Sequence, residues 1–315
     1  MNAISEEMIN IPFWGWIAFN LFVVLMIILD LFVLHRHQKI ITIKQALGTS
    51  AIWIGMALIF NIGIYYFFGS EKALNFLTGY LIEESLSIDN LFVFILIFDY
   101  FHTPREYQHK VLFWGILGAI IMRALFIFFG IALVSQFHWV LYLFGVFLIY
   151  AAIKMALPKH ETIEPENTFI IKSIKKFILV SHQYDGDKFF TLKDKKWMAT
   201  PLFITLITVE MTDLIFALDS IPAIMAITLD PFIIYTSNIF AILGLRSLYF
   251  ALAGLMPLFH FLKYGLAAIL GFVGIKMLLS HYIDIPIGVS LGVIALAIVV
   301  SVGSSLIFPQ KKSNI

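Results

Sequence analysis

The 315-residue chain has no cysteine, which removes disulfides, thiolate metal sites and cysteine nucleophiles together. Charge is nearly as scarce. Only 13% of the residues are Asp, Glu, Lys or Arg, against roughly a quarter in a soluble domain. The net charge is +1, so no overall field points to a nucleic-acid partner. Residues 1–10 carry Glu6 and Glu7 and no basic residue, unlike the n-region of a signal peptide. The apolar run from Ile11 to Leu34 is too long for a signal h-region, and is expected to be the first spanning helix. The apolar runs also hold no His-Glu metal motif, Ser–Lys pair or Gly-Asp protease motif, which argues against an intramembrane enzyme. No prosthetic group is expected.

What is abundant is hydrocarbon: 61% of the residues are hydrophobic and the mean hydropathy is +0.94. The apolar runs exceed 18 residues and do not alternate, so the pattern predicts an all-α integral membrane protein rather than a barrel. Nine candidate spans are read, at 11–34, 48–68, 74–101, 111–131, 136–157, 200–229, 232–256, 261–280 and 286–308. They divide the chain into a two-helix segment (1–73), a three-span unit (74–157), a polar connection (158–199), a second three-span unit (200–281) and a last span with its tail (282–315).

Basic residues fall on alternate sides. Arg36, Lys39 and Lys44 follow the first span, Arg105 and Lys110 the third, Lys263 the seventh, and Lys311 and Lys312 the ninth; eight lysines lie in 158–199, and the opposite loops hold only Lys72. The positive-inside rule then places the N-terminus outside and the C-terminus in the cytoplasm. Within the connection, residues 169–180 alternate apolar and basic and could lie on the membrane surface, or the lysines could be topology signals alone. Tyr184–Asp185–Gly186–Asp187 reads as the turn of a small hairpin between 177–181 and 188–192.

Against this apolar background two acidic clusters stand out. Glu83–Glu84–Ser85–Leu86–Ser87–Ile88–Asp89–Asn90 lies in the third span; Glu210–Met211–Thr212–Asp213, continuing to Asp219–Ser220, lies in the sixth. A carboxylate in hydrocarbon costs about 2.5–3.5 kcal/mol on insertion scales, and such groups usually mark cation or proton paths. The clusters also recur. Glu83 falls on Asp213, Asp89 on Asp219 and Asn90 on Ser220 at an offset of 130; Arg123 falls on Arg246 at 123, and Lys154 on Lys276 at 122. Each unit has three spans, an odd number, so the two would enter the membrane from opposite sides. That is the inverted repeat of secondary transporters, with a site near the midplane.

The candidate ligands are Glu83, Asp89, Asn90, Glu210, Asp213, Asp219 and Ser220. All offer oxygen, and no histidine lies deep in either acidic span, a set suited to Mg²⁺, Ca²⁺ or Mn²⁺. Glu83 and Asp89 lie about 120° apart round a straight helix, so a local break is expected to bring them together; Pro222 would supply one in the sixth span by freeing the carbonyl of Leu218. Glu84 has no acidic counterpart and reads as a helix-end group. Arg123 and Arg246 could balance the buried carboxylates, or hold an empty site until a cation displaces them. Lys154 and Lys276 sit near span ends and can snorkel; His138 and His260 read as interfacial. Asp30 could line a vestibule, and Asn238 could be a further amide ligand or a helix–helix contact.

Three stretches carry a resemblance. Residues Tyr80 to Phe94 (YLIEESLSIDNLFVF), Glu210 to Ala223 (EMTDLIFALDSIPA) and Ser237 to Arg246 (SNIFAILGLR) resemble the signatures of the TerC/Alx family of membrane proteins, related to the LysE-like superfamily of exporters. Asp30–Leu31–Phe32 and Ala199–Thr200–Pro201–Leu202–Phe203 extend the likeness to nearly the whole chain. The resemblance implies a bacterial inner-membrane exporter of Mn²⁺, with the seven ligand positions above as the metal path. The family has been tied to tellurite resistance, alkaline pH response and manganese homeostasis. Protons are the expected counter-ion, the lipid bilayer is a further partner, no nucleic acid is expected, and the oligomeric state stays open. The alternative is a non-transporting sensor or scaffold of a metal or tellurite stress response, working through the basic connection. Tellurite itself fits poorly, since five carboxylates would repel an oxyanion.

Overall fold

The structure, a computed structural model, describes residues 9, 11–30, 42–137, 139–157, 179–181, 183–193, 196–253, 261–279, 282, 283 and 285–307, without the side chains of Asp89 and Phe92. His138 and His260 lie outside the described residues. Eight helices are described: α1 (Phe13–Leu29), α2 (Ile43–Tyr100), α3 (Arg105–Gln136), α4 (Val140–Ala156), α5 (Pro201–Met225), α6 (Pro231–Ala253), α7 (Leu262–Leu279) and α8 (Ile287–Ile307), with strands β1 (Phe190–Lys193) and β2 (Lys196–Ala199) between α4 and α5. Six of the helices are long and apolar enough to cross a membrane; α1 and α4 are shorter apolar helices.

α2 begins with a reciprocal cap. Thr42 accepts from the Gln45 amide at 3.4 Å and donates its own amide to the Gln45 side chain at 3.1 Å, the pattern that a Thr-x-x-Gln sequence encodes. Fifty-eight residues of straight helix would run about 87 Å, far beyond a hydrocarbon core of about 30 Å. The chain instead folds back at Gly69, which has φ 89° and ψ 173°. Phe60 and Phe76 would be about 24 Å apart on a straight helix, yet their rings lie 5.5 Å apart. The two segments of α2 therefore stand side by side and correspond to the second and third candidate spans. The Gly69 conformation is one that a Cβ essentially forbids, at about 1–3 kcal/mol. Gly69→Ala is expected to lower stability by that amount; thermal unfolding in detergent measures it, and an unchanged midpoint would remove Gly69 as the cause of the turn.

The most extensive packing joins α2 with α6 and α4 with α7; α3 packs on α5 and α6, and α2 also on α5. The second segment of α2 runs parallel to α6, since Glu83 meets Asn238 and Phe98 meets Tyr249 at 5.5 Å. α3 likewise runs parallel to α5, since Arg123 meets Asp213 and Gly130 faces Met225. The two pairs run opposite ways: Arg123 reaches Asn238, while Ile116, earlier on α3, packs with Ile242, later on α6. α6 lies at the centre, buried on nearly every residue. α1 docks on it through rings and polar contacts: Phe19 lies 6.1 Å from both Phe232 and Phe240, and the Tyr235 hydroxyl donates to Asn20 at 2.7 Å. Outer faces bare Phe67, Tyr66 and Phe129, which suits lipid rather than water.

The connection differs from its expected form. The paired strands are β1 and β2, antiparallel with Phe190 opposite Ala199 and Lys193 opposite Lys196. Residues 179–181 bridge Ala199 in parallel instead. The Gly186 turn, at φ 56°, thus leads into β1 rather than joining two paired strands, because Ala199 can accept a neighbour on either edge. The segment is fastened to the helix ends. The Tyr184 hydroxyl donates to the Phe101 carbonyl at 2.8 Å, and Lys110 holds the Asp187 carboxylate at 2.9 Å. That hydrogen bond, with the ammonium charge, holds Asp187 below the usual carboxylate range.

Candidate functional site

Four helices each contribute one residue to a buried polar centre. Arg123 of α3 has no exposed surface, and neither has Glu83 of α2. The guanidinium grips Asp213 of α5 with two prongs, Nη2 to Oδ1 at 3.0 Å and Nε to Oδ2 at 3.3 Å. Its Nη1 donates to Glu83 and to the Asn238 side-chain oxygen of α6 at 3.3 Å. Asn238 then closes the ring by donating Nδ2 to the other Glu83 oxygen at 2.9 Å. Two carboxylates around one guanidinium leave a formal charge of −1 if both are ionised, so the centre is not electrically complete.

The expected helix breaks are not there. Gly69 is the one non-helical residue inside α2, and α5 continues as one helix through Pro222. Convergence comes from between the helices: Glu83 and Asp213, the positions matched across the two halves, meet on a single arginine. Asn90 is two turns from Glu83 on the same face, with Ser87 between; Ser220 stands in the same relation to Asp213. All three are buried, and the Asn90 amide nitrogen and both serine hydroxyls lack a hydrogen-bond partner. Because the second segment of α2 and α5 run in opposite directions, Asn90 and Ser220 lie about 10 Å to opposite sides of the arginine. They extend the centre into a polar column through the bundle.

Glu210, a turn before Asp213 on the same face, reaches a small cavity with room for about one water molecule, bounded by Phe94, Gly115, Ile116, Ala119 and Leu245. Among the described residues, Glu210 and Asp213 are the only ionisable ones in its lining. A Cβ at Gly118 would overlap the Glu210 carboxylate, so glycine there is what gives the acid its place; one Glu210 oxygen is buried without a hydrogen-bond partner. Asp219 is half-buried on α5. The Asp89 side chain lies outside the described residues. Glu84 is not at a helix end; it sits within α2, hydrogen-bonded to Tyr80. Lys276 donates to Ser290 of α8 at 3.0 Å, and Lys154 is exposed. Among the described residues no three acids or histidines are grouped to hold a metal.

The second arginine has a different partner. Arg246 pairs with Asp30 at the end of α1, beside a small cavity lined by Ile27, Trp53, Phe113, Ile116 and Leu243. A carboxylate at a helix C-terminus opposes the macrodipole, so local propensity does not explain Asp30 and its arginine does. One polar knot went unread in the sequence. Asp230 accepts from the amides of Phe232 and Ile233 at 3.0 and 3.3 Å and from that of Ile9 at 2.7 Å, and pairs with Lys72 at 3.5 Å. The Asp230–Pro231 dipeptide, an N-cap followed by proline at the first helical position, was its signal.

Residues 68–313 match the family described as "Integral membrane protein TerC family". The chain belongs to the TerC family. Its relatives share nearly the full length. An uncharacterized membrane protein of Myxococcus xanthus is 49% identical over 93% of this chain and 92% of its own. One from Rickettsia bellii is 45% identical over 93% of this chain and 97% of its own. The Escherichia coli protein named "Putative membrane-bound redox modulator Alx" is 44% identical over 93% of this chain and 92% of its own. No solved structure matches the chain. This TerC protein is thus an integral membrane protein, and the resemblance read from its motifs holds along almost all of it.

Proposed function

We propose that this TerC protein is a secondary transporter that exports a divalent cation, Mn²⁺ foremost, from the cytoplasm in exchange for protons. The observation that carries the reading is the meeting of Glu83 and Asp213 on Arg123 at the middle of a polar column. An inverted repeat of spans three to five and six to eight, within nine spans, accounts for that meeting, because residues related by a two-fold axis can share one ligand only at the axis. Packing supports the repeat. Exchanging the halves turns the contact of α2 with α6 into that of α5 with α3, and leaves α4 with α7, α3 with α6 and α2 with α5 as they are; all are extensive contacts.

The oxygens of Glu83, Asp213, Asn238, Asn90 and Glu210 suit a hard cation. Arg123 acts as its stand-in: a cation arriving through the cavity beside Glu210 must draw the carboxylates off the guanidinium, and protons returning the other way compete for the same oxygens. Mn²⁺ is the cargo here, not a resident cofactor. The test is Mn²⁺ uptake by inside-out vesicles holding the purified protein, with and without a proton gradient. Wild type should accumulate Mn²⁺ only with the gradient. Asp213→Asn should lose about 30-fold or more, from the 2–5 kcal/mol that removing one partner of a buried charge contact costs. Uptake equal in the two proteins would end the reading.

The E. coli relative's name raises a redox role. Without cysteine, thiol–disulfide exchange is closed to this chain. A sensing or scaffolding role draws on the docking of the connection through Tyr184 and Lys110. Deleting 158–199 would abolish a scaffold's action and leave a transporter with residual flux.

A further inference from the structure

The hairpin of β1 and β2 is turned inside out. Side chains alternate across a strand, so Phe190 and Leu192 share a face, and Trp197 stands opposite Leu192 on it. In a sheet resting on a protein in water, that apolar face would be the buried one. Here Leu192 is 59% exposed and Trp197 70%, while Thr191 on the other face is 5% exposed and donates to Asp185 at 2.8 Å. A slip of one residue would exchange the faces, but the base of the hairpin is pinned. The Thr200 amide donates to the Phe189 carbonyl at 2.9 Å, and its hydroxyl to the Lys188 carbonyl at 2.7 Å.

Two observations say what covers the outward face. First, it continues into the surface that α5 offers to lipid. The Phe190 ring lies 4.6 Å from that of Phe203 in the first turn of α5, and the exposed Leu218 lies within about 60° of Phe203 round that helix. The 25 residues of α5 span about 37 Å against a hydrocarbon core of about 30 Å, enough to carry its first turn into the headgroup layer. Leu192 and Trp197 stand about 7 Å along the strands from Phe190 and Ala199, at the base of the hairpin. Second, the charge fits. Residues 188–196 hold Lys188, Lys193, Lys195 and Lys196 against Asp194, and Lys188 and Lys196 are exposed.

We infer that the hairpin is an interfacial foot: Leu192 and Trp197 enter the boundary between headgroups and acyl chains in the leaflet where α5 begins, and the lysines meet anionic lipid phosphates. Tryptophan suits that depth, with an apolar ring and a polar N–H. A lysine stem can lie along the boundary while its ammonium reaches the phosphates. By the positive-inside rule this is the cytoplasmic leaflet. The same connection is tied to the end of α2 at Phe101 and to α3 at Lys110. Through those ties the charge of the lipid bears on the ends of both helices.

A chain without cysteine takes a single reporter cleanly. Full-length Leu192→Cys carrying a nitroxide, in nanodiscs of phosphatidylethanolamine and phosphatidylglycerol, is read by its collisions with a water-soluble nickel chelate. They should be about tenfold rarer than for the same label on Gln183→Cys, an exposed site off the sheet, as befits a depth of about 5–10 Å in the boundary. Trypsin, which cuts after lysine, gives a second readout without any label. Cleavage after Lys196 should be about tenfold faster in Leu192→Asp than in wild type, because proteolysis follows the population of released hairpin. In nanodiscs of phosphatidylcholine alone, wild type should be cut about fivefold faster, the loss of one lysine–headgroup contact. Equal chelate collisions at the two labelled positions overturn the foot, and so does a Leu192→Asp protein cut no faster than wild type. Disulfide cross-links between two copies of Leu192→Cys, with protection that falls on dilution in detergent, would give the face to a second copy and overturn it too. No readout involves uptake, so failure here leaves the transport reading untouched.

Discussion

Replacing Arg123 by Met is expected to destabilise the protein by about 3–5 kcal/mol, the cost of leaving buried charge without its partner. The side chain is wholly buried and satisfies Glu83, Asp213 and Asn238 at once. Methionine fills much of the volume, so lost packing is a small part of the effect. The informative variant is the compensated one. Arg123→Met with Glu83→Gln and Asp213→Asn removes all three charges and leaves amides able to bond one another and Asn238. It should recover at least half of the loss, since buried ion sets can often be exchanged for neutral groups at little cost. Denaturant titration of the purified protein in detergent reads both. If the triple variant is no more stable than Arg123→Met, the arginine holds the bundle by shape and not by charge. The triple variant should also be inactive in uptake, which separates the stability of the centre from its use.

The second large effect lies away from any charge. α4 and α7 cross at Gly145 and Gly274. A Cβ on Gly274 would stand 2.8 Å from the Gly145 carbonyl oxygen and 2.9 Å from Ile149 Cγ1, and one on Gly145 would stand 3.1 Å from the Gly274 oxygen. The helices therefore approach closer than any side chain allows, which is how membrane helices gain contact where no hydrophobic drive separates protein from lipid. Gly274→Leu should cost about 3 kcal/mol, the upper end of overpacking, because backbone cannot move aside as a flexible side chain can. Gly271→Ala, one turn away, is the control: its Cβ would meet Ala152 at 3.7 Å, an ordinary contact. Melting temperatures in detergent should fall sharply for the first and barely for the second; equal shifts would mean that the crossing is not set by the glycines.

Much of this was legible in the residues. Acids in hydrocarbon are so costly that Glu83, Glu210 and Asp213 announced themselves, and the drop in hydropathy after Phe68 marked the fold-back at Gly69. What was not legible is which face looks inward. In water an apolar stripe gives that away; in a bilayer the lipid and the core are both apolar, so buried Ile127 and exposed Phe129 of α3 read alike. Hence Glu83 and Asp89 were expected to meet along one helix, whereas Glu83 meets Asp213 across two. Hence also Asp30 and Arg246 were each singled out but not paired, and Asn238 was left open between ligand and contact when it hydrogen-bonds both Glu83 and Arg123. The β-hairpin slipped for another reason: 179–181, 190–193 and 196–199 are three short stretches of similar character, and alternation cannot choose which two pair.

The central ring is assembled from residues 83, 123, 213 and 238, and that order has a cost during synthesis. Glu83 leaves the ribosome 40 residues ahead of its arginine, a delay of about 2–8 s at 5–20 residues per second. Asp213 follows Arg123 by another 90 residues. Through that interval the second segment of α2 must either wait in the insertion machinery or cross with its carboxyl group protonated, and α3 then enters with a guanidinium half-matched until α5 is made. Biogenesis of this protein is thus a succession of temporary charge states, each relieved by the next helix, and the last polar contact of the ring closes only when α6 slides in at the middle.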